Sequence, residues 1–185
     1  PPFSSRRRHT SCARWSRGLG DVYKRQNVRQ ADWLLDGLER TAGRSLAGMR
    51  VALLGLTFKA GTDDLRESPA VRLGQALLAR GATVATYDPV SLEAGVALVA
   101  AGAPDAHLEA AASVAAACTA ADAVVVATEW PEFAALDWAA IAPTMAGTVV
   151  VDGRRVVDSD AASAAGLRVV ALGVEVTGAA LQPVD

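Results

Sequence analysis

Five short runs, Val51–Gly55, Ala82–Tyr87, Ala123–Ala127, Val149–Asp152 and Leu167–Leu172, are apolar almost throughout and are separated by stretches of helical spacing. A strand that is apolar on both faces must be covered on both faces, the condition of a parallel sheet between layers of helices. Right-handed crossovers leave an open, doubly wound sheet as the simplest arrangement, with the five strands in the order 2-1-3-4-5. The expected fold class is therefore α/β: a Rossmann-like doubly wound parallel five-stranded sheet, preceded by a helix.

The intervening stretches carry their own start and stop signals. Val28, Ala31, Leu34 or Leu35, and Leu38 recur at helical spacing, and Gly43 is placed to end that helix. Ser68-Pro69 open the next one, serine as N-cap and proline at the first helical position, where its missing N–H costs nothing. Ala70, Leu73, Ala76 and Leu77 form its inner stripe, and Gly81 ends it. Leu92–Ala101 and Leu108–Ala121 are alanine-rich and predict two further helices, Cys118 lying inside the second as a small apolar residue. Short helices are expected over Pro131–Ala135, Asp137–Ile141 and Ser159–Ala165.

A chain of 185 residues suits one domain, or one domain with an appendage. Its hydrophobic content is 51%, yet no uninterrupted apolar run approaches the ~18 residues of a membrane span, so a soluble protein without membrane contact is expected. Cys12 and Cys118 have neither metal-ligand spacing nor the pattern of a disulfide framework. No metal site is expected, and a cytoplasmic location is the natural inference. Residues 1–26 stand apart, with seven basic side chains against one acid, Asp21, and no helical or strand period. Without them the chain carries 11 basic and 19 acidic residues, a net charge of −8. A basic arm can recruit nucleic acid or target an organelle. The string Asp21-Val22-Tyr23-Lys24-Arg25-Gln26, however, resembles translated sequencing-adapter sequence, and the arm is read as non-native or disordered, with no nucleic-acid role.

Polar residues gather where the strands end. Lys59 and Arg66 follow the first strand, Asp88 the second, Thr128-Glu129-Trp130 the third, and Asp152-Gly153-Arg154-Arg155 the fourth. Ligands of open α/β sheets bind in the crevice outside the carboxyl ends, here between the first and third strands. Lysine occurs only at positions 24 and 59 among 18 basic residues, so a compact ammonium at Lys59 is an exception in an arginine-using chain. It suits a phosphate or a sugar hydroxyl, and two arginine forks beside it suit a diphosphate. The alternative for Lys59 is a surface lysine in a solvated loop, with Phe58 a core plug. A dinucleotide loop is excluded, because Gly55 is followed by Leu56-Thr57-Phe58 rather than by Gly-x-Gly-x-x-Gly. A nucleotide-hydrolase phosphate loop is excluded too, since Lys59 neither follows glycine nor precedes Ser or Thr.

The stretch Gly55-Leu-Thr-Phe-Lys59-Ala-Gly-Thr-Asp-Asp64-Leu-Arg66-Glu-Ser68-Pro69 resembles the signature of the C-terminal, nucleotide-sugar-binding domain of the UDP-glucose/GDP-mannose dehydrogenase family. Tyr87-Asp88-Pro89, Thr128-Glu129-Trp130 and Val151-Asp152-Gly153-Arg154-Arg155 are similar to later blocks of the same family, in its order. The resemblance implies three regions: residues 1–26 as the arm, 27–45 as the end of a central dimerisation helix, and 46–185 as a UDP-sugar-binding domain. It implies an NAD-dependent oxidation of a nucleotide sugar at C6 in two steps, to the uronic acid, in a homodimeric enzyme. Phe58, Lys59 and Arg154 would contact the UDP-sugar, and Arg66 would face an NAD held mainly by another domain. Neither the glycine-rich NAD loop nor the Cys-Pro-Lys-Asp-type nucleophile motif occurs in this sequence, so no catalytic residue is assigned and the chain alone is expected to be inactive. The alternative is a non-catalytic, Rossmann-like nucleotide-binding or regulatory module. The helix before the sheet is left with two readings: a piece of the dimerisation helix with its apolar stripe exposed, or an N-terminal helix packed on its own domain.

Overall fold

The computed structural model describes residues 31–104 and 106–171, together with the backbone of 174–177. The basic arm, the expected helical residues 27–30 and the end of the last expected strand at Leu172 lie outside the described residues. A helix, α1, runs through residues 31–42. Then follow β1 (Arg50–Leu54), α2 (Pro69–Ala79), β2 (Thr83–Tyr87), α3 (Leu92–Ala101), β3 (Leu108–Ala110) and α4 (Val114–Cys118). The second half comprises β4 (Ala123–Val126), α5 (Pro131–Ala134), α6 (Trp138–Ile141), β5 (Val149–Asp152), α7 (Ser159–Ala164), β6 (Arg168–Ala171) and β7 (Val174–Thr177).

The strands form one sheet in the order β3-β2-β1-β4-β5-β6-β7. Every neighbouring pair is parallel except β6 and β7, which run antiparallel. The five expected strands thus take their expected order, and one further strand is added at each edge. Side chains alternate between the two faces with the period of a strand. Val51 and Leu53 of β1, Val125 of β4 and Val151 of β5 enter one core with α1, α2 and α3. Ala52 and Leu54, Val124 and Val126, and Val150 enter the other, with Ala117 and Cys118 of α4, Phe133, Trp138, Ile141 and Ala162. Both faces are covered, which is why the strand sequences lack polar alternation.

One expected helix is replaced. Leu108–Ala121 does not run as a single helix: residues 108–110 pair with β2, from Val84–Leu108 to Thr86–Ala110. Only Val114–Cys118 is helical, opened by the Ser113 side chain, which accepts from the Ala116 N–H. Alanine favours helix by well under 1 kcal/mol per residue. Here the Ala111 N–H donates to Thr86 O at 2.8 Å and the Val84 N–H to His107 O at 2.9 Å, so pairing with the sheet edge overrides that preference.

The helix α1 packs on its own domain. Leu34, Leu35 and Leu38 are 6%, 1% and 0% exposed and join the core with Val51 and Val170, so the reading of an exposed apolar stripe is overturned. Gly43 ends the helix at φ +70°, its N–H donating to Glu39 O. Arg80, at the end of α2, clamps α1 from outside through Asp36 at 2.7 Å, Asp32 at 3.2 Å and Glu39 at 3.4 Å. Because Asp32 and Asp36 are largely exposed, Arg80→Ala should cost only about 1 kcal/mol, or roughly 2–4 °C in Tm. The loss should shrink at high salt in thermal melts; an unchanged Tm at low salt would show that the clamp contributes nothing.

Candidate functional site

The crevice begins where β1 turns outward. Gly55 adopts φ +91°, and a Cβ there would lie 2.5 Å from Thr128 Cβ, so the loops after β1 and β4 touch directly. Asp88, closing β2, accepts from the Leu56 N–H at 2.7 Å and the Thr57 N–H at 3.1 Å with Oδ2. Its Oδ1 accepts from Val90 N–H at 3.0 Å and Ser91 N–H at 2.8 Å. Burial pushes this carboxyl's pKa up, but the four backbone donors outweigh that and hold it below the ordinary value. Ser68 ties the far end of the loop back: its hydroxyl donates to Leu56 O at 2.6 Å and accepts from Ala70 N–H at 3.2 Å. Thr128 Oγ1 donates to Thr57 O at 2.9 Å.

Three of the polar residues that gather at the strand ends are therefore internal. Asp88, Thr128 and Asp152 are 2%, 0% and 2% exposed, and their side chains are spent on the loops themselves. Asp152 accepts from Arg154 N–H at 3.0 Å and Val157 N–H at 2.8 Å, forming the turn that carries the two arginines. Sequence position showed that these groups stand at the carboxyl edge. It did not show that backbone N–H groups would claim them.

Phe58, Lys59 and Arg154 come together. Phe58 is 44% exposed, so it is no core plug, and Lys59 beside it is exposed as well. Arg154 Nε donates to Ala127 O at 2.8 Å and Nη2 to Phe58 O at 3.2 Å. One guanidinium thus spans the loops after β1 and β4 from the turn after β5. Glu129 Oε2 lies 3.5 Å from the same Nε and is buried; among the described residues neither it nor the buried Trp130 Nε1 has a hydrogen-bond partner. Glu129 is the site-lining residue that the sequence reading left without a role. Its place directly after Thr128 was the available signal. Among the described residues Lys59 forms no ion pair.

Arg66 stands apart. It lines a hollow of about 620 Å³ together with Asp63, Asp64, Val71, Arg72 and Leu98, on the α2–α3 side of the loop, a hollow that includes neither Lys59 nor Arg154. Its guanidinium forks onto Asp64, with Nε–Oδ1 and Nη2–Oδ2 both 2.9 Å, and holds that carboxyl down at about 2. Arg155, at φ +59°, is exposed at the same turn as Arg154. Cys118 is buried in α4, where desolvation pushes its thiol up to about 12, the opposite of what a nucleophile needs.

Residues 52–159 match the model of the UDP-glucose/GDP-mannose dehydrogenase family, UDP binding domain. A UDP-glucose 6-dehydrogenase of Haloferax volcanii is 46% identical over 137 residues, covering 74% of this chain and 29% of that protein. A UDP-glucose dehydrogenase structure from Pyrobaculum islandicum superposes with a TM-score of 0.63 at 32% identity, over 80% of this chain and 33% of its own. A UDP-D-ManNAc dehydrogenase from Pyrococcus horikoshii gives a TM-score of 0.58 at 29% identity, over 73% of this chain and 28% of its own. The chain spans about a third of the length of the curated relatives it matches. The match from β1 to the start of α7 contains every loop of the crevice described above, and the chain belongs to the UDP-glucose/GDP-mannose dehydrogenase family.

Proposed function

We propose that the chain is the UDP-sugar-binding part of an NAD-dependent nucleotide-sugar 6-dehydrogenase, homodimeric when full-length, and that the ligand lies at the crevice beside Phe58, Lys59 and Arg154. The observation that carries this reading is the Arg154 guanidinium fastened next to the Lys59 turn. Among the described residues, two of its five N–H donors are used, on Ala127 O and Phe58 O. The remaining donors and the mobile ammonium of Lys59 match the oxygens of a diphosphate. Phe58, with its ring half out of the protein, supplies an apolar face for the sugar or nucleoside. The two UDP-sugar relatives differ in their sugar, so the nucleotide part is the shared chemistry.

NAD does not fit this crevice. The Asp88 carboxylate, at the end of β2 where a dinucleotide site keeps an acid for the ribose, is filled by four backbone N–H groups. Side chains rather than bare glycine backbone line the loop after β1. What the chain would offer the cofactor is the exposed Arg66, facing an NAD carried elsewhere. Hydride transfer is accordingly assigned to parts of the enzyme beyond this domain, and the residues here bind and orient the nucleotide.

Calorimetry should detect UDP binding in the high micromolar to millimolar range. Each charge-assisted contact is worth about 1.5–3 kcal/mol, so Lys59→Ala or Arg154→Ala should weaken binding about tenfold or more. Arg168→Ala, at the start of β6 on the opposite edge of the sheet, should leave it unchanged. Thermal melts accompany each titration, since loss through unfolding carries no information about the site. Folded variants that bind UDP as the parent does would refute this site. NADH formation from NAD and UDP-glucose by the chain alone, persisting in Cys118→Ala, would refute its assignment as a binding part without catalytic residues.

A further inference from the structure

We infer that Arg154 is a positioning residue for the Lys59 turn, in addition to any contact it makes with ligand. The inner part of the loop after β1 is held by other groups: Asp88 takes the Leu56 and Thr57 N–H groups, and Thr128 takes Thr57 O. Those tethers stop one residue short of Phe58. The next peptide, Phe58–Lys59, is planar, so fixing its carbonyl also fixes the direction in which the Lys59 backbone leaves. Among the described residues, the cross-loop hydrogen bond to that peptide comes from Arg154 Nη2, at 3.2 Å to Phe58 O.

The guanidinium can do this because it is itself fixed at two further points. Its Nε donates to Ala127 O at 2.8 Å, and the Arg154 backbone N–H that carries the side chain donates to Asp152 Oδ1 at 3.0 Å. The buried Glu129 Oε2, 3.5 Å from Nε, sets an opposite charge beside the guanidinium. Three loops, after β1, β4 and β5, therefore meet on one planar cation. A lysine at 154 would keep the positive charge, but one ammonium does not reproduce the rigid fork that reaches both carbonyls. In its ligand arm this inference rests on the proposed UDP-sugar reading; its loop arm does not.

The test uses Arg154→Lys in the full chain. Without ligand, hydrogen exchange of the Phe58 amide, which donates to Asp64 O at 2.8 Å, should become about tenfold faster. Amides of Leu53 and Val125 in the central strands should keep their protection, showing that the fold is intact. With UDP, Lys59→Ala should cost less than half as much, in fold-change, in the Arg154→Lys background as in the parent. Unchanged Phe58 exchange, or strictly multiplicative losses of affinity, would overturn the positioning role. Should the lysine variant lose its strand protection, Arg154→Gln is read by the same exchange measurement. Failure of the parent to bind UDP would refute the ligand reading, while the exchange arm would still decide the role of Arg154 in the loop.

Discussion

Asp88→Ala should lose about 4 kcal/mol in urea unfolding, a large part of the 5–15 kcal/mol that holds a domain of this kind together. The carboxylate receives four backbone N–H groups, three of them in buried surroundings. An orphaned buried donor costs about 1–3 kcal/mol, and water entering the vacated space recovers part of the sum. Asp88→Asn keeps the shape but removes the charge and turns an amide N–H₂ toward donors, so it should fall between parent and alanine variant. The pH dependence has a definite sign. Because the folded carboxyl titrates below its ordinary value, its stabilisation is fully present above that value and is lost as pH falls through the depressed one. Asp88→Asn should remove this part of the acid sensitivity. A loss below 1 kcal/mol for the alanine variant would show that the loop does not depend on this acceptor.

Gly55→Ala should cost about 3–5 kcal/mol for a different reason. The residue sits at φ +91°, a conformation L side chains resist, and the added methyl would meet Thr128 Cβ at 2.5 Å and Thr128 N at 2.9 Å. Backbone strain and overpacking each contribute about 1–3 kcal/mol. The obstacle is the root of the Thr128 side chain together with its backbone N, not the far end of a flexible side chain, so relief requires the loops after β1 and β4 to separate. Gly61→Ala is the matched control. It has φ +75° but, among the described residues, nothing within 4 Å of the added methyl, so only the backbone term, about 1 kcal/mol, should remain. Equal losses for the two variants in urea unfolding would mean that the contact with Thr128 has no energetic weight.

The central strands were legible because each obeys one local rule. Val51–Leu54, Ala123–Val126 and Val149–Asp152 are buried on both faces, and that condition is written residue by residue in their sequences. Ser68-Pro69 was legible for the same reason, since N-cap and N1 preferences are local. The strand β3 was not legible: Leu-Glu-Ala has no strand pattern, and its conformation is imposed by the edge of β2. Nor was the packing of α1, because an apolar stripe shows that a helix is covered without showing by what. At the candidate site, residue type and position after the strands were enough to place Lys59 and Arg154 at the carboxyl edge. The fates of Asp88, Thr128 and Asp152 were hidden, since whether a carboxylate meets a ligand or a backbone N–H depends on loop geometry at a scale of ångströms. Arg80 shows the same limit: its position at a helix end gave no sign of three carboxylates reaching it from α1.

Amide chemical-shift mapping during a UDP titration reports where the nucleotide sits on the domain. The amides of residues 57–60, 127–130 and 153–155 should move together with one dissociation constant, while those of β3 and α7 stay in place. Shifts confined to residues 63–72 and Leu98, around the hollow that Arg66 lines, would rule out nucleotide binding at the crevice, as would saturating UDP that leaves the three crevice loops unmoved.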